Sequence, residues 1–298
     1  MTLPNFLIIG AGRSGTTSLY HYLRQHPEVF MSEVKEPSFF AYMDTDLPSG
    51  IPGADWLRQT AVTTRREYES LFSGATGARA IGEASPAYLA NSAAPARIQA
   101  LIPDARLVAI LRHPADRAHA SYLGLRRDGV DPAPTFEEAL RDEERREREG
   151  WVYAANLVHT GFYYKWLSQY YARFPREQLH VYLFEDLVTN ASALMQDLFA
   201  FLGVDSRFVP DVTHRYGGTG DVRNPIVRSL WTWSAVPRRL VRPFLPVRWR
   251  DGVFDWVTRD GVKTLMAPAT RAQLVDVFRA DIVALQDLID RDLSAWLQ

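Results

Sequence analysis

The chain has 298 residues, of which 47% are hydrophobic, 12% aromatic and 23% charged, a composition that excludes disordered, collagenous and coiled-coil architectures and supplies a substantial core. With 34 Lys and Arg against 35 Asp and Glu, no global field draws it to nucleic acid or to an anionic membrane, so any anion must be held by a local patch and no nucleic-acid partner is expected. There is no cysteine, which excludes disulfides, Cys-ligated zinc and thiol nucleophiles, and the seven histidines form no HxxxH or HExxH pair, so no metal site is expected.

Short apolar runs alternate with helical periodicity along the chain, the pattern of a parallel sheet covered by helices, and an α/β fold follows. Phe6 to Ile9 reads as a buried strand, Gly10 to Gly15 as a tight loop, and Thr16 to Gln25 as a helix with Leu19 and Leu23 inward. Arg106 to Leu111 reads as a strand ended by Arg112-His113-Pro114, with the proline opening a helix that runs to Arg127. Helices are expected over Phe136 to Glu149 and Phe162 to Arg173. Leu179 to Phe184 reads as a third strand, followed by a helix from Ala191 to Leu202 that stops at Gly203, and a last helix runs from Pro268 to Trp296. One domain spanning 1–298 is expected, interrupted by irregular insertions around 44–78, 128–158 and 213–262, where recognition usually resides. No stretch approaches the roughly 18 unbroken apolar residues of a membrane helix, and the opening residues lack a charged leader.

Gly10-Ala-Gly-Arg-Ser-Gly-Thr-Thr17 follows a strand and opens a helix, where backbone N–H groups and the helix dipole converge on an anion. It resembles a nucleoside-triphosphate P-loop, yet Thr16 stands where that motif demands lysine, and the cation has moved inside the loop to Arg13. The next strand ends in Arg112 rather than in an Asp that could hold magnesium, which disfavours magnesium-dependent phosphoryl transfer. Arginine carries all of the positive side-chain charge except that of Lys35, Lys165 and Lys263, and its planar fork suits phosphate. Arg112, at the carboxyl end of a strand, is placed to fork onto such a group.

This loop, together with Lys35-Glu-Pro-Ser-Phe-Phe40, Gly82-Glu-Ala-Ser-Pro-Ala-Tyr-Leu89, the Arg112 segment, Phe174 to Leu187 and Asp281 to Leu297, resembles the PAPS-dependent sulfotransferases. The likeness is greatest to the branch that groups heparan sulfate sulfotransferases with bacterial homologues. The resemblance implies a P-loop-like three-layer α/β fold. It also implies transfer of a sulfuryl group from 3′-phosphoadenosine 5′-phosphosulfate to a hydroxyl, or an amine, of a carbohydrate, lipid or specialised metabolite, with adenosine 3′,5′-bisphosphate as product and no metal. It places Arg13, Ser14, Gly15, Thr16 and Thr17 around the 5′-phosphosulfate and Arg112 on the 3′-phosphate. The family's 3′-phosphate serine falls at Ala120 here, with Ser121 one place on, about 100° around a helix. Arg223, in Gly217-Gly-Thr-Gly-Asp-Val-Arg-Asn-Pro225, is either a clamp over that phosphate or part of a plain surface turn.

Transfer to an alcohol needs a base for the acceptor proton, and Glu36 falls where the heparan branch carries its catalytic glutamate, with Lys35 beside it to hold acceptor or sulfonate. On the residues alone, Lys35-Glu36 reads equally well as an exposed pair before a proline turn. Arg13, with a pKa above about 12, acts electrostatically rather than as an acid. Glu83 lies on a strand facing the site, where it could orient base or acceptor, and Ala84 replaces a lysine common in the family. Among the histidines His159 is the reserve candidate for the acceptor site, whereas His113 and His119 read as structural. Tyr163, Tyr164 and Trp166 read as core. Leu140 to Glu149 reads as a solvated, ion-paired helix. Residues 237–250, alternating basic and apolar, read as a connector or as a contact for an anionic glycan or membrane surface. Two alternatives remain on the sequence, a P-loop small-molecule kinase and a non-catalytic nucleotide-binding protein. A cytoplasmic, bacterial setting is expected.

Overall fold

The computed structural model describes residues 2–216 and 265–298. Five parallel strands form one sheet in the order β2-β3-β1-β4-β5: β1 (Phe6–Gly10), β2 (Val29–Met31), β3 (Ala80–Ala84), β4 (Arg106–Leu111) and β5 (Leu179–Leu183). The central strand β1 is buried throughout because both faces are covered, as its unbroken apolar run requires. Its side chains alternate between two cores. Leu7 and Ile9 join Leu107, Ala109 and Leu111 under α5 (Ala94–Leu101), α6 (Pro114–Arg127), α9 (Tyr163–Tyr171) and α11 (Pro268–Ile289). Phe6 and Ile8 join Val108 and Ile110 under α1 (Thr16–Leu23) and α10 (Phe184–Leu202). Helix, sheet and helix thus make three layers, as expected.

The differences from the sequence reading are local. β2 is only three residues long and leaves no periodicity to detect. Residues 44–78 carry two short helices, α3 (Ala54–Thr60) and α4 (Arg65–Ser70), the second capped by Thr64, which accepts from the Glu67 N–H; the four-residue α2 (Phe39–Tyr42) precedes them. The helix expected over Phe136 to Glu149 is two, α7 (Phe136–Arg141) and α8 (Glu143–Arg148), meeting at Asp142. α10 begins at Phe184, before the expected start, and is interrupted at Asn190; Gly203, left-handed at φ +73°, stops it. α11 ends at Ile289 because Asp290 turns left-handed, and a 3-10 turn, Ser294–Leu297, finishes the chain. Tyr163 and Trp166 are core residues, while Tyr164 is exposed. No helix among the described residues is long and apolar enough to cross a membrane. Arg223, the 237–250 segment and most of the insertion around 213–262 lie outside the described residues.

The charged run from Leu140 to Glu149 is not simply solvated. Arg146 is fully buried and grips Asp131 bidentately, at 2.7 and 2.9 Å, beneath the Trp151 ring. The Glu143 carboxylate accepts the backbone N–H groups of Leu157, Val158 and His159 at 2.8, 2.8 and 3.0 Å. These two anchors fold residues 128–158 against the body of the protein. Breaking a buried pair strands a charge, so Asp131→Ala is expected to lower the unfolding free energy by about 3–5 kcal/mol, measured by urea denaturation, whereas Asp131→Leu combined with Arg146→Met recovers most of the loss.

Candidate active site

The Gly10 loop is pinned to the sheet by one backbone bond, from the Ala11 N–H to the Ile110 carbonyl at 2.8 Å. It then turns through two left-handed residues, Arg13 at φ +66° and Gly15 at φ +102°. A methyl on Gly15 would stand 2.6 Å from Leu187 Cδ2, so glycine is demanded there by space as well as by backbone. No described group accepts from the N–H groups of Gly12, Arg13, Ser14 or Gly15, and α1 begins at Thr16 with no side-chain cap. The Ser14 Oγ is buried beside the Tyr163 hydroxyl, whose own proton goes to the Arg112 carbonyl, and it has no well-formed hydrogen bond to a described residue. Partly exposed N–H groups left free and converging at a helix N-terminus are the arrangement that suits an anion. Thr16 is buried in the first turn and Thr17 is partly exposed beside it.

Arg13 makes no ion pair and no side-chain hydrogen bond with any described residue. Its guanidinium lies on α6 at Gly124, where even one added carbon would coincide with Nη2. Burial lowers its pKa and the neighbouring Arg127 charge lowers it further, while Asp128, Tyr153 and Glu36 act the other way. Arg112 comes alongside from the end of β4. Its Nη1 donates to the Arg13 carbonyl at 3.4 Å, its guanidinium stacks on the Phe184 ring at 4.8 Å, and its own carbonyl accepts from the Tyr163 hydroxyl at 2.9 Å. The loop and the strand-end arginine predicted from sequence therefore do meet.

Lys35 and Glu36 lie in the turn that leaves the edge strand β2 and crosses the end of β3. The Glu36 N–H donates to the Ala84 carbonyl at 3.1 Å, the backbone is left-handed at Glu36 (φ +63°) and Ser38 (φ +52°), and Lys35 Nζ holds Glu36 Oε1 at 2.5 Å. With side chains 24% and 17% exposed, this is not a freely solvated pair. Left-handed non-glycine residues are costly and cluster at functional sites; here both Arg13 and Glu36 are of that kind.

Beneath this turn sits Glu83, whose residue is 0% exposed. Its carboxylate accepts from the hydroxyls of Tyr88, Ser85 and Tyr68 at 2.5, 2.7 and 3.2 Å. Ser85 Oγ in turn accepts from the Ser38 N–H at 2.9 Å, and Ser38 Oγ donates to the Glu36 carbonyl at 3.2 Å. Phe39 and Phe40 enclose Glu83: Phe39 stacks on Tyr68 at 4.3 Å and Phe40 meets Tyr88 edge-on at 5.5 Å. Burial outweighs the three hydroxyl donors and pushes the Glu83 carboxyl up to about 7. Glu83 is thus placed to hold the turn that carries Glu36, with no surface on which to touch an acceptor.

Two other candidates are committed elsewhere. The one proton of the Ser121 hydroxyl goes to the Ala154 carbonyl at 2.8 Å, so Ser121 has none left for a phosphate. His159 is held in the packing: its ring meets Trp166 edge-on, its carbonyl accepts from Trp166 Nε1 at 3.1 Å, and burial together with Lys165 lowers its pKa. His113 caps α6 and bonds the Trp296 carbonyl, as a structural histidine would. Sequence reasoning passed over Gly124, whose signal was a glycine inside a helix, and Tyr153, which follows an irregular insertion and had none.

A glycine-rich loop at the carboxyl edge of a parallel sheet, flanked by two arginines and a Lys–Glu turn, is an arrangement suited to holding an anionic group. A family model described as "Sulfotransferase family" matches residues 4–208, and the chain belongs to that family. It is similar to the human bifunctional heparan sulfate N-deacetylase/N-sulfotransferase 2, 28% identical over 206 residues that cover 68% of this chain and 22% of the relative. It is also similar to human heparan sulfate glucosamine 3-O-sulfotransferase 3B1, 29% identical over 210 residues that cover 70% and 48%. The chain therefore spans between about a fifth and a half of the length of these relatives. A crystal structure of a sulfotransferase from Alicyclobacillus acidocaldarius superposes with a TM-score of 0.80 at 31% identity, covering 100% of both chains. The kinase alternative is set aside by the family.

The raised Glu83 pKa makes stability depend on pH. Between the unfolded value of 4.5 and about 7 the folded protein holds a proton that the unfolded chain has lost, so the Glu83 contribution is full below that window and is lost as pH rises through it. Urea unfolding at pH 5 and pH 8 should show wild type losing about 3 kcal/mol more across this range than Glu83→Gln does.

Proposed function

We propose that this sulfotransferase takes its sulfuryl group from 3′-phosphoadenosine 5′-phosphosulfate and passes it to a hydroxyl or amine of a carbohydrate, lipid or specialised metabolite, with Glu36 as the base. The observation that carries this reading is the half-buried Arg13 guanidinium, laid against α6 with no ion pair to a described residue, beside four loop amides from which no described group accepts and within the field of Glu36. A partly desolvated, unpaired cation is expensive, and a bound anion is what offsets its cost. The buried Ser14 Oγ and the space kept clear by glycine fit the phosphosulfate end, and Arg112 is the cation placed for a second phosphate. Relatives named for N-sulfation and for 3-O-sulfation of heparan sulfate match equally well, which supports a carbohydrate acceptor and either nucleophile.

Bound there, the donor supplies an electrophilic sulfur on a phosphate leaving group. Glu36 takes the acceptor proton at its carboxylate, and Lys35, fixed on Oε1, sets the orientation of that carboxylate. Arg13 holds a permanent charge where negative charge grows, without a proton to give. Lys35, freed of part of its pairing as Glu36 is neutralised, is then available to the departing or incoming oxygen.

Calorimetry without magnesium should show adenosine 3′,5′-bisphosphate binding more tightly than AMP or ATP; equal binding of AMP sinks the donor assignment. Glu36→Gln is expected to reduce turnover by about 10²-fold or more while leaving that nucleotide's affinity intact, and normal turnover would remove Glu36 from the role. Arg13→Ala should weaken both. Gly124→Ala places a methyl in the Arg13 notch and should cost about tenfold in nucleotide affinity, yet add nothing in an Arg13→Ala background, because the two changes act through one guanidinium.

A further inference from the structure

Tyr153 belongs to none of the motifs above, yet its phenol stands over the anion cradle. A methyl on Gly12 would lie 3.2 Å from the Tyr153 Oη, which makes Tyr153 the roof of the loop at that point. The phenol makes no hydrogen bond with any described residue, although its carboxylate and guanidinium neighbours include Glu36, Arg13 and Arg117. Burial and the Glu36 charge raise its pKa well above the usual 10, and, half-buried, it keeps its proton for a ligand in the cradle rather than for a described protein group.

The support beneath it is unusually rigid for an insertion. Tyr153 opens a 3-10 turn, Tyr153–Ala155, closed by the Ala155 N–H on the Val152 carbonyl at 2.8 Å. Ser121 on α6 donates to Ala154, Arg117 donates to the Leu157 carbonyl, and Glu143 gathers the three N–H groups that follow. On the other side, Trp151 packs on Arg146, itself locked to Asp131. Ser121 thus serves as a positioning residue for this turn. Such bracing fixes a donor before the ligand arrives, the arrangement that discriminates one bound group from another.

We propose that Tyr153 is a binding residue for the sulfonate, its O–H donating to a sulfonate oxygen of the donor, so that the site distinguishes the loaded donor from the desulfated product. The proposal rests on the donor reading above and adds a residue to it. The test is titration calorimetry, without acceptor, of 3′-phosphoadenosine 5′-phosphosulfate and of adenosine 3′,5′-bisphosphate into wild type and Tyr153→Phe. The bisphosphate lacks the sulfonate, so its affinity should stay within about twofold of wild type, while the sulfated donor should bind about tenfold or more weakly, as loss of one hydrogen bond to a charged group implies. Ser121→Ala, which loosens the turn but keeps the phenol, should shift the same ratio in the same direction by less. If Tyr153→Phe leaves both affinities unchanged, or weakens both alike, the proposal is overturned. If wild type binds neither nucleotide, the donor reading itself has failed.

Discussion

Two carbonyls at the upper edge of the sheet hold the site together. Ile110, near the end of β4, receives the Ala11 N–H, and Ala84, at the end of β3, receives the Glu36 N–H. β3 and β4 are the two neighbours of β1, so the loop that leaves β1 is flanked by the turn carrying Glu36 and by Arg112. In a parallel sheet the backbone hydrogen bonding runs out at this edge, and the leftover carbonyls become the fixed points to which irregular segments attach. The positions of the loop, of Glu36 and of Arg112 are therefore consequences of strand order.

The electrostatics follow from that crowding. Arg13 is held near Arg127, which no bare protein favours, and the loop around it offers N–H groups rather than carboxylates. Of the carboxylates that act on it, Asp128 is already paired with Arg127 and Glu36 Oε1 with Lys35. Glu83, below, is insulated by Phe39, Phe40, Tyr68 and Tyr88 and titrates in the neutral range instead of pairing with either cation.

Much of this was legible in the sequence because it rests on local pattern. The apolar run of β1, the glycines of the loop and the Arg-His-Pro ending of β4 each carry their own signature, and they delivered the sheet, the loop and the meeting of Arg112 with it. What escaped depends on contacts remote in the chain. Arg146 looks like any other residue of a charged helix until Asp131 is brought under it, and Phe39 and Phe40 could not be assigned to Glu83 rather than Glu36 before Tyr68 was placed. Ser121 was judged by its angle on a helix, but its partner is a carbonyl from an insertion with no readable periodicity. Asp142 and Asn190 break helices without proline or glycine, so nothing local announced them.

The last long helix lies beyond residue 208, where the family match ends, yet it is part of the architecture that supports Arg112. Asp281 accepts the first free N–H groups of α9, from Tyr164 and Lys165, at 2.9 and 3.2 Å, and Phe278 and Ile282 fill the core beside it. α9 in turn carries Tyr163, whose hydroxyl steadies the Arg112 carbonyl. A chain trimmed to the matched residues would bare a helix dipole and an oily stripe at once, and would loosen the seat of Arg112, which contains none of the deleted atoms.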